Sequence, residues 1–383
     1  MSGTLADTNS GRISIIAEST FGTTPATPTL QILRATSFDL GAQKETVVSD
    51  EIRSDRMVST VAEVAAMSAG SMGYELSLGG SFDTLFEAAL CGTLQTATST
   101  TNVATLTTST FDHAGAGFTN IVVGQWVFAA GFVNTANNGW HRVTARTSTV
   151  LTVASVLVTE SSTAGKTIRA RMVRNGTTRR SFTIEEAFTD VSQFFAFRGQ
   201  RLGTLSMDVT AGQIVTGSFG FQGTSTVAQG TTISSALTPA TTTQVVNATS
   251  NVGAILESST LIPLATAIQS FNINLDNALR NQMAVGSKFP TGIGYGRQTI
   301  TGSLNAYFQD RTLYDRFLNH TSSALSFAFT DGTNHMRITL PRVFFNSSNP
   351  NVSGIDQDVM ENIEYTAVQD PTTGCQIQID IIT

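Results

Sequence analysis

Charge is scarce in this chain. Of its 383 residues only 13% are Asp, Glu, Lys or Arg, about half the share usual in soluble proteins. Ser, Thr, Ala and Gly take their place. A free monomer stays in solution partly by carrying charge, so the shortage points to surface covered by other subunits, or else to a Ser/Thr-rich exterior. The charge present sums to −6, with a pI near 5.2. That argues against a protein built to grip nucleic acid, which needs a basic footprint to displace counterions. It leaves room for a surface that nucleic acid slides past. Cysteine is nearly absent: Cys91 and Cys375 give neither a disulfide framework nor a metal spacing. Cys91, ending an expected helix, reads as a small core residue. No run approaches 18 apolar residues, so no transmembrane helix and no membrane partner are expected. The opening Met1-Ser2-Gly3-Thr4-Leu5-Ala6-Asp7 lacks the basic and apolar regions of a signal peptide, which fits synthesis in a cytoplasm.

The usual marks of catalysis are missing too. His113, His141, His320 and His335 stand at no metal-ligand spacing with one another or with cysteine. There is no Gly-x-Ser-x-Gly, no phosphate-cradling glycine loop with lysine and no His-Glu-x-x-His. Glu185 and Glu186 are adjacent on an expected strand, so their carboxylates point to opposite faces and share no site. A carboxylate pair drawn from distant segments would leave no local signature. The reading is a non-enzyme with no cofactor and no metal.

What is present is mostly strand. Short alternating runs rich in Val, Thr, Phe and Ile are bounded by Gly, Asn, Asp and Ser. Examples are Phe182 to Ile184, Leu205 to Val209, Leu325 to Phe329 and Gln376 to Ile382. Two segments read as helices, near 81–91 and 310–319, with Ser81 and Asp310 as capping candidates. Leu85, Phe86, Ala89 and Leu90 make one apolar stripe, and Leu313, Tyr314, Phe317 and Leu318 the other.

These elements occur twice in the same order. Ser37-Phe38-Asp39-Leu40 leads through a long connection to Gly70-Ser71-Met72-Gly73-Tyr74-Glu75-Leu76 and then the first helix. Ser270-Phe271-Asn272-Ile273-Asn274-Leu275 leads to Gly302-Ser303-Leu304-Asn305-Ala306-Tyr307-Phe308 and then the second. The two serine-to-glycine spacings are 33 (70 − 37) and 32 (302 − 270) residues. Ile16 to Thr20 precedes the first copy as Leu256 to Thr260 precedes the second. The expected fold class is mainly β: two tandem β-sandwich domains, each with a short flanking helix. Residues 12–235 form the first, 236–244 a linker and 245–383 the second. Residues 95–172 have no counterpart in the second copy and read as a small β-subdomain inserted at an exposed loop. A chain with two pseudo-equivalent halves can fill two neighbouring positions of a ring.

One cluster stands out against the low-charge background. Lys44, Glu45, Asp50, Glu51, Arg53, Asp55 and Arg56 make seven charges in the thirteen residues 44–56, inside the first long connection. This is either a solvated loop or a contact arm whose mixed charges set register at an interface.

The runs Ala17-Glu18-Ser19-Thr20-Phe21-Gly22-Thr23-Thr24-Pro25, Leu33 to Ser37, Glu51-Ile52-Arg53-Ser54-Asp55-Arg56, and Phe82 to Leu90 closely resemble the major tail tube proteins of long-tailed, non-contractile bacteriophages (siphoviruses). Residues 51–56 are the most specific piece, and Phe118 to Glu160 looks like an insertion found in such proteins. The resemblance is strong over the first half and a matter of pattern over the second. It implies a β-sandwich with a flanking helix and a long hairpin. It implies rings whose inner sheets join into a barrel, stacked into a tube that conducts DNA into the host during genome ejection. Partners would be other copies of the chain and tail proteins such as the tape measure and the terminator, with DNA passing through unbound. The place is the virion tail, assembled in the host cytoplasm. Tandem duplication favours three chains per ring with pseudo-sixfold symmetry over six. The alternative is a surface-displayed carbohydrate-binding β-sandwich adhesin, which would show exposed aromatics at one loop end; Trp126 and Trp140 are the only tryptophans for that.

Strand alternation adds a last expectation. Phe38, Leu40, Tyr74, Leu76, Leu205, Met207, Val209, Phe271, Ile273, Leu275, Leu304, Ala306 and Phe308 fall on one face, the core. Asp39, Glu75, Ser206, Asp208, Asn272, Asn274 and Asn305 fall on the other, with Tyr307 the bulky exception. No Lys or Arg is among them. These seven polar residues are expected to face the lumen.

Overall fold

The computed structural model describes residues 5–253, 255–257, 262–264, 267–352 and 354–383. Ser258, Ser259 and Thr260 of the second lead-in lie outside the described residues. The protein is mainly β, with two short α-helices among the described residues, α1 (Asp83–Ala89) and α2 (Thr312–Leu318). The chain divides into two compact units that interleave along the sequence. The first comprises Met1–Ala89, Thr178–Val245 and Phe271–Thr301; the second comprises Leu90–Thr177, Val246–Ser270 and Gly302–Thr383.

In the first unit a ladder of antiparallel strands carries the core on one face. Val61–Glu75 pairs with both Ala35–Phe38 and Gly41–Val48 on one side and with Thr216–Gly223 on the other. Thr216–Gly223 pairs with Gln193–Thr210, whose next neighbour is Ile268–Asp276. Met72, Tyr74 and Leu76, Leu205, Met207 and Val209, Phe219 and Phe221, and Phe271, Ile273 and Leu275 are all buried. This is the face the alternation assigns to the core, because side chains two apart share a side. Burying each such side chain stabilises the fold by roughly 1.5–3 kcal/mol. Helix α1 closes this face with Leu85, Phe86, Ala88 and Ala89. Its aromatic neighbours form one cluster, Tyr74 stacked on Phe219 at 4.6 Å, with Phe82 5.2 Å from Tyr74 and Phe86 5.6 Å from Phe219. Gly217 makes room for it: a Cβ there would lie 2.6 Å from the Tyr74 hydroxyl.

Strand Gln193–Thr210 serves two ladders. Its first half pairs with Phe182–Phe188, which in turn pairs with Gly11–Ala17. Its second half belongs to the ladder above. The register shifts between Leu202 and Thr204, and such a bulge bends a strand and lets it change partners. The segment expected as a linker is tied down here: Ala236–Thr238 runs parallel to Thr29–Ile32, and Val245 bridges to Ser77.

In the second unit, residues 98–170 form a seven-stranded sheet of their own, around Val103, Phe111, Phe118, Ile121, Val127, Leu151 and Ile168. Beyond it, Ser323–Thr330, His335–Asn351, Met360–Ala367 and Gln378–Ile382 pair in antiparallel fashion. Helix α2 buries Leu313 alone. The Asp310 carboxylate caps its start by accepting the Thr312 N–H at 2.7 Å. The Ser81 hydroxyl, ahead of α1, accepts the Thr241 N–H at 3.1 Å. Phe308 departs from the expected core face and is 39% exposed, because its strand ends at Tyr307 and the alternation ends with it.

Candidate assembly surfaces

The charged segment 44–56 is not a loose loop. Gly41–Val48 and the first half of Val61–Glu75 make an antiparallel hairpin, Gly41 opposite Ala69 through Val48 opposite Val61, with a register shift between Glu45 and Thr46. Lys44, Glu45, Asp50, Glu51, Arg53, Asp55 and Arg56 are all exposed. Several are engaged within the chain. The Arg53 guanidinium donates to both Asp55 carboxylate oxygens, at 3.0 and 2.6 Å, with Glu51 3.7 Å away. Arg53 and the Met57 N–H hold the Asp55 carboxyl below its ordinary range. The Lys44 ammonium stands 3.6 Å from Glu63. Exposed pairs of this kind add little stability; here they fix the shape of the tip. Arg56 has a left-handed backbone, φ 58°, where the chain turns back.

Apolar exposure is the feature of this hairpin that a reading by charge overlooks. Val47, Val48, Ile52, Met57, Val58, Val61 and Val64 are each at least 48% exposed, and Ile52 fully so. Single exposed apolar side chains are ordinary, but a run on one projecting element marks a contact surface. The signal lay in the valines flanking the charges.

The non-core face of the first unit's sheet is the second surface. Glu75, Thr216 and Asp208 lie in one cross-strand row, and Gly73, Ser218 and Ser206 in the next. The Ser206 and Ser218 hydroxyls are 2.9 Å apart. Asp39 joins this side, its carboxylate accepting the Ser71 N–H. Asn274 donates to the Asn272 side chain at 3.2 Å. A shallow depression of about 460 Å³ is lined by Ser206, Ser218, Asn274, Asp276, Thr299 and Thr301. Thr204, Thr216, Ser218, Gln222, Asp276, Thr299 and Thr301 were not singled out from sequence and extend the surface. Its acidic residues are Asp39, Glu75, Asp208 and Asp276, with Arg201 directly across from Gln222 at its edge, and partial burial holds the Asp208 carboxyl above its ordinary range. In the second unit Asn305 donates to Gln269 at 2.8 Å, and Tyr307 is 39% exposed.

Glu185 and Glu186 diverge as adjacent strand residues should. Glu185 is fully buried and accepts bonds from Arg12, Thr232 and the Ile233 N–H, while burial raises the Glu186 carboxyl. Neither tryptophan is displayed at a loop end. Trp126 is buried with the Arg337 guanidinium 4.2 Å from its ring, and Trp140 lies 5.5 Å from the same group. The inserted sheet thus uses both within the second unit's packing.

A family model described as phage tail tube protein matches residues 8–367. The chain belongs to the phage tail tube protein family. The match spans 360 (367 − 8 + 1) of the 383 residues, so the charged hairpin, both helices and the inserted sheet lie within the tail tube homology. No curated protein matches the chain. The family places the chain among structural components of the phage tail. No described helix is long and apolar enough to cross a membrane.

Proposed function

We propose that this tail tube protein polymerises into stacked rings whose inner wall conducts DNA during ejection from a siphovirus tail. The observation that carries the reading is the polar face of the first unit's sheet. Asp39, Glu75, Ser206, Asp208, Asn272 and Asn274 share it with Thr204, Ser218 and Asp276, and none of these is basic. Lysine or arginine on such a wall would pair with phosphates, release counterions and hold the DNA. Neutral and acidic groups repel it weakly and let it pass. Asn305 would continue the wall from the second repeat unit.

Three chains per ring follow from the repeat. Sequence repeats of about 12–235 and 245–383, joined at 236–244, would occupy six pseudo-equivalent positions, and ring closure leaves no heterologous contact or sheet edge unsatisfied. The hairpin with Lys44, Glu45, Asp50, Glu51, Arg53, Asp55 and Arg56 would be the contact arm. Tape-measure and terminator proteins would be further partners, in the tail assembled in the host cytoplasm.

Electron microscopy of the purified chain tests this. Hollow rings or tubes are expected, with three full chains per ring and the Asp208 face inward. Six full chains in a ring would remove the trimer and spare the tube. A lumen lined by Lys and Arg would remove the sliding argument. Discrete, unassembled particles under all conditions would remove the tube.

A further inference from the structure

The two long connections of the repeat end up in different surroundings. The second, residues 276–298, folds as a small hairpin, Arg280–Gln282 against Gly292–Gly294, and is seated on α1. Asn277, 2% exposed, donates from Nδ2 to the Ala89 carbonyl at 2.9 Å and to the Leu202 carbonyl at 3.2 Å. Gln298 donates from Nε2 to the same Ala89 carbonyl at 3.2 Å and to Asn277 Oδ1 at 3.0 Å. Ala89 is the last residue of α1, so this pair of amides satisfies a carbonyl of the helix's final turn, which has no partner within the helix.

The first connection has the same place in the repeat but other surroundings: at its base the Ala66 N–H donates to the Lys288 carbonyl of the second connection at 2.8 Å. Asn277 lies seven residues past Ser270 (277 − 270); seven past Ser37 is Lys44. Gln298 lies four before Gly302 (302 − 298); four before Gly70 is Ala66. Lys44 and Ala66 are directly opposite each other in the hairpin ladder, and Asn277 and Gln298 are joined by their side-chain hydrogen bond. The helices correspond too. Each has seven residues and is followed two positions after its end by a residue at φ 47°, Cys91 or His320. Yet the Lys44 side chain is 63% exposed, and Leu318, which ends α2, is 59% exposed.

We propose that the first hairpin of one chain seats on the C-terminal turn of α2 in a second copy of this chain, with Lys44 in the role Asn277 plays on α1. The occupant is a second copy for a topological reason. The second connection seats on the helix of the repeat before its own, and the first repeat has none before it in its own chain. The chemistry agrees: an ammonium group at the negative end of a helix can donate to its last carbonyls. The exposed valines of the hairpin offer Leu318 an apolar partner. This rests on the self-assembly reading and names the contact that closes the ring.

The test is a cross-link in the full-length chain. Lys44→Cys with Leu318→Cys is assembled, oxidised and run on a non-reducing gel; the native Cys91 and Cys375 are buried. Ladders of chains linked to one another are expected, absent from either single variant. Rings or tubes that form without such links overturn the docking and leave the tube reading standing. Should the double variant fail to assemble, Leu318→Asp decides. It is expected to melt as the unaltered monomer does and to need about tenfold more protein to assemble, as loss of a central contact would require. Unchanged assembly of Leu318→Asp overturns the docking. An unaltered chain that never assembles removes the self-assembly reading, and the docking with it.

Discussion

Helices α1 and α2 have equal length and occupy matching places in the chain, but they are finished differently. The first buries Leu85, Phe86, Ala88 and Ala89; the second buries only Leu313. The difference is not one of helix-forming tendency, since both run seven residues. It lies in what reaches the last turn. At α1 two side-chain amides, the buried Asn277 and the half-buried Gln298, meet the Ala89 carbonyl; at α2 the terminal leucine is exposed. The hairpins mirror this. The one seated on α1 buries Ile293 to 1% exposure, while the other leaves Ile52 wholly exposed. A covered and an uncovered version of one arrangement, in one chain, mark where the chain stops being self-sufficient.

Core truncation is the sharpest way to break this comparison. Phe86→Ala in α1 should destabilise the unassembled chain by about 3–5 kcal/mol, since it opens a cavity against Phe219. Leu318→Ala in α2 should stay within about 0.5 kcal/mol, as surface changes do. Urea denaturation below the assembly concentration measures both. A large loss at Leu318 would mean that α2 is already covered within the chain.

The polar contacts make a smaller pair. Asn277→Ala leaves buried carbonyls with fewer donors and should cost about 1–3 kcal/mol. Lys44→Ala, its counterpart, should shift monomer stability by no more than about 0.5 kcal/mol and should weaken assembly instead. Equal effects on the monomer would end the correspondence between the two positions.

Much of this was legible in the sequence, and the gaps have physical causes. The alternation of Leu205, Met207 and Val209 or of Phe271, Ile273 and Leu275 reports burial directly, because one face of a strand must be apolar to join a core. Both helices were readable from the spacing of their apolar residues. The hairpin register of Lys44 and Ala66 was not, because exposed strands carry no burial pattern to read. Nor was the seating of 276–298, since Asn277 and Gln298 are polar residues held by specific hydrogen bonds, and no local pattern announces such a contact. The Asp208 face was found by subtraction, as the side left over once the core side was assigned.

The inserted sheet supplies a control that should move stability without moving assembly. The Glu160 carboxylate accepts from Lys166 at 2.8 Å, from the Val133 and Asn134 N–H groups and from Asn137. These bonds, Lys166 first, pull its carboxyl from 4.5 down to about 2. A depressed folded value means that the stabilisation is complete above the unfolded value and fades as pH falls through the folded one. The melting temperature of the insert should therefore drop between about pH 4.5 and 2. Glu160→Gln should flatten that slope while tubes still form. An unchanged slope in Glu160→Gln would assign the acid sensitivity to other carboxylates.

The smallest effect on folding is expected at the hairpin tip, where it separates charge from apolar contact. Arg53 is held by Asp55 and Glu51 of its own chain, so it has little attraction left to offer a neighbour, and exposed pairs contribute weakly in any case. Ile52 beside it is fully exposed and has nothing of its own to pack against. Arg53→Ala should leave the monomer's melting temperature unchanged and shorten tubes only slightly. Ile52→Asp should be as silent in the monomer but should stop growth at short tubes, because a carboxylate cannot enter an apolar seat without a partner. Tube lengths counted by negative-stain microscopy decide between them. If Arg53→Ala shortens tubes more than Ile52→Asp does, the tip works by ion pairs across the interface, and the internal pairing with Asp55 must open when the neighbour arrives.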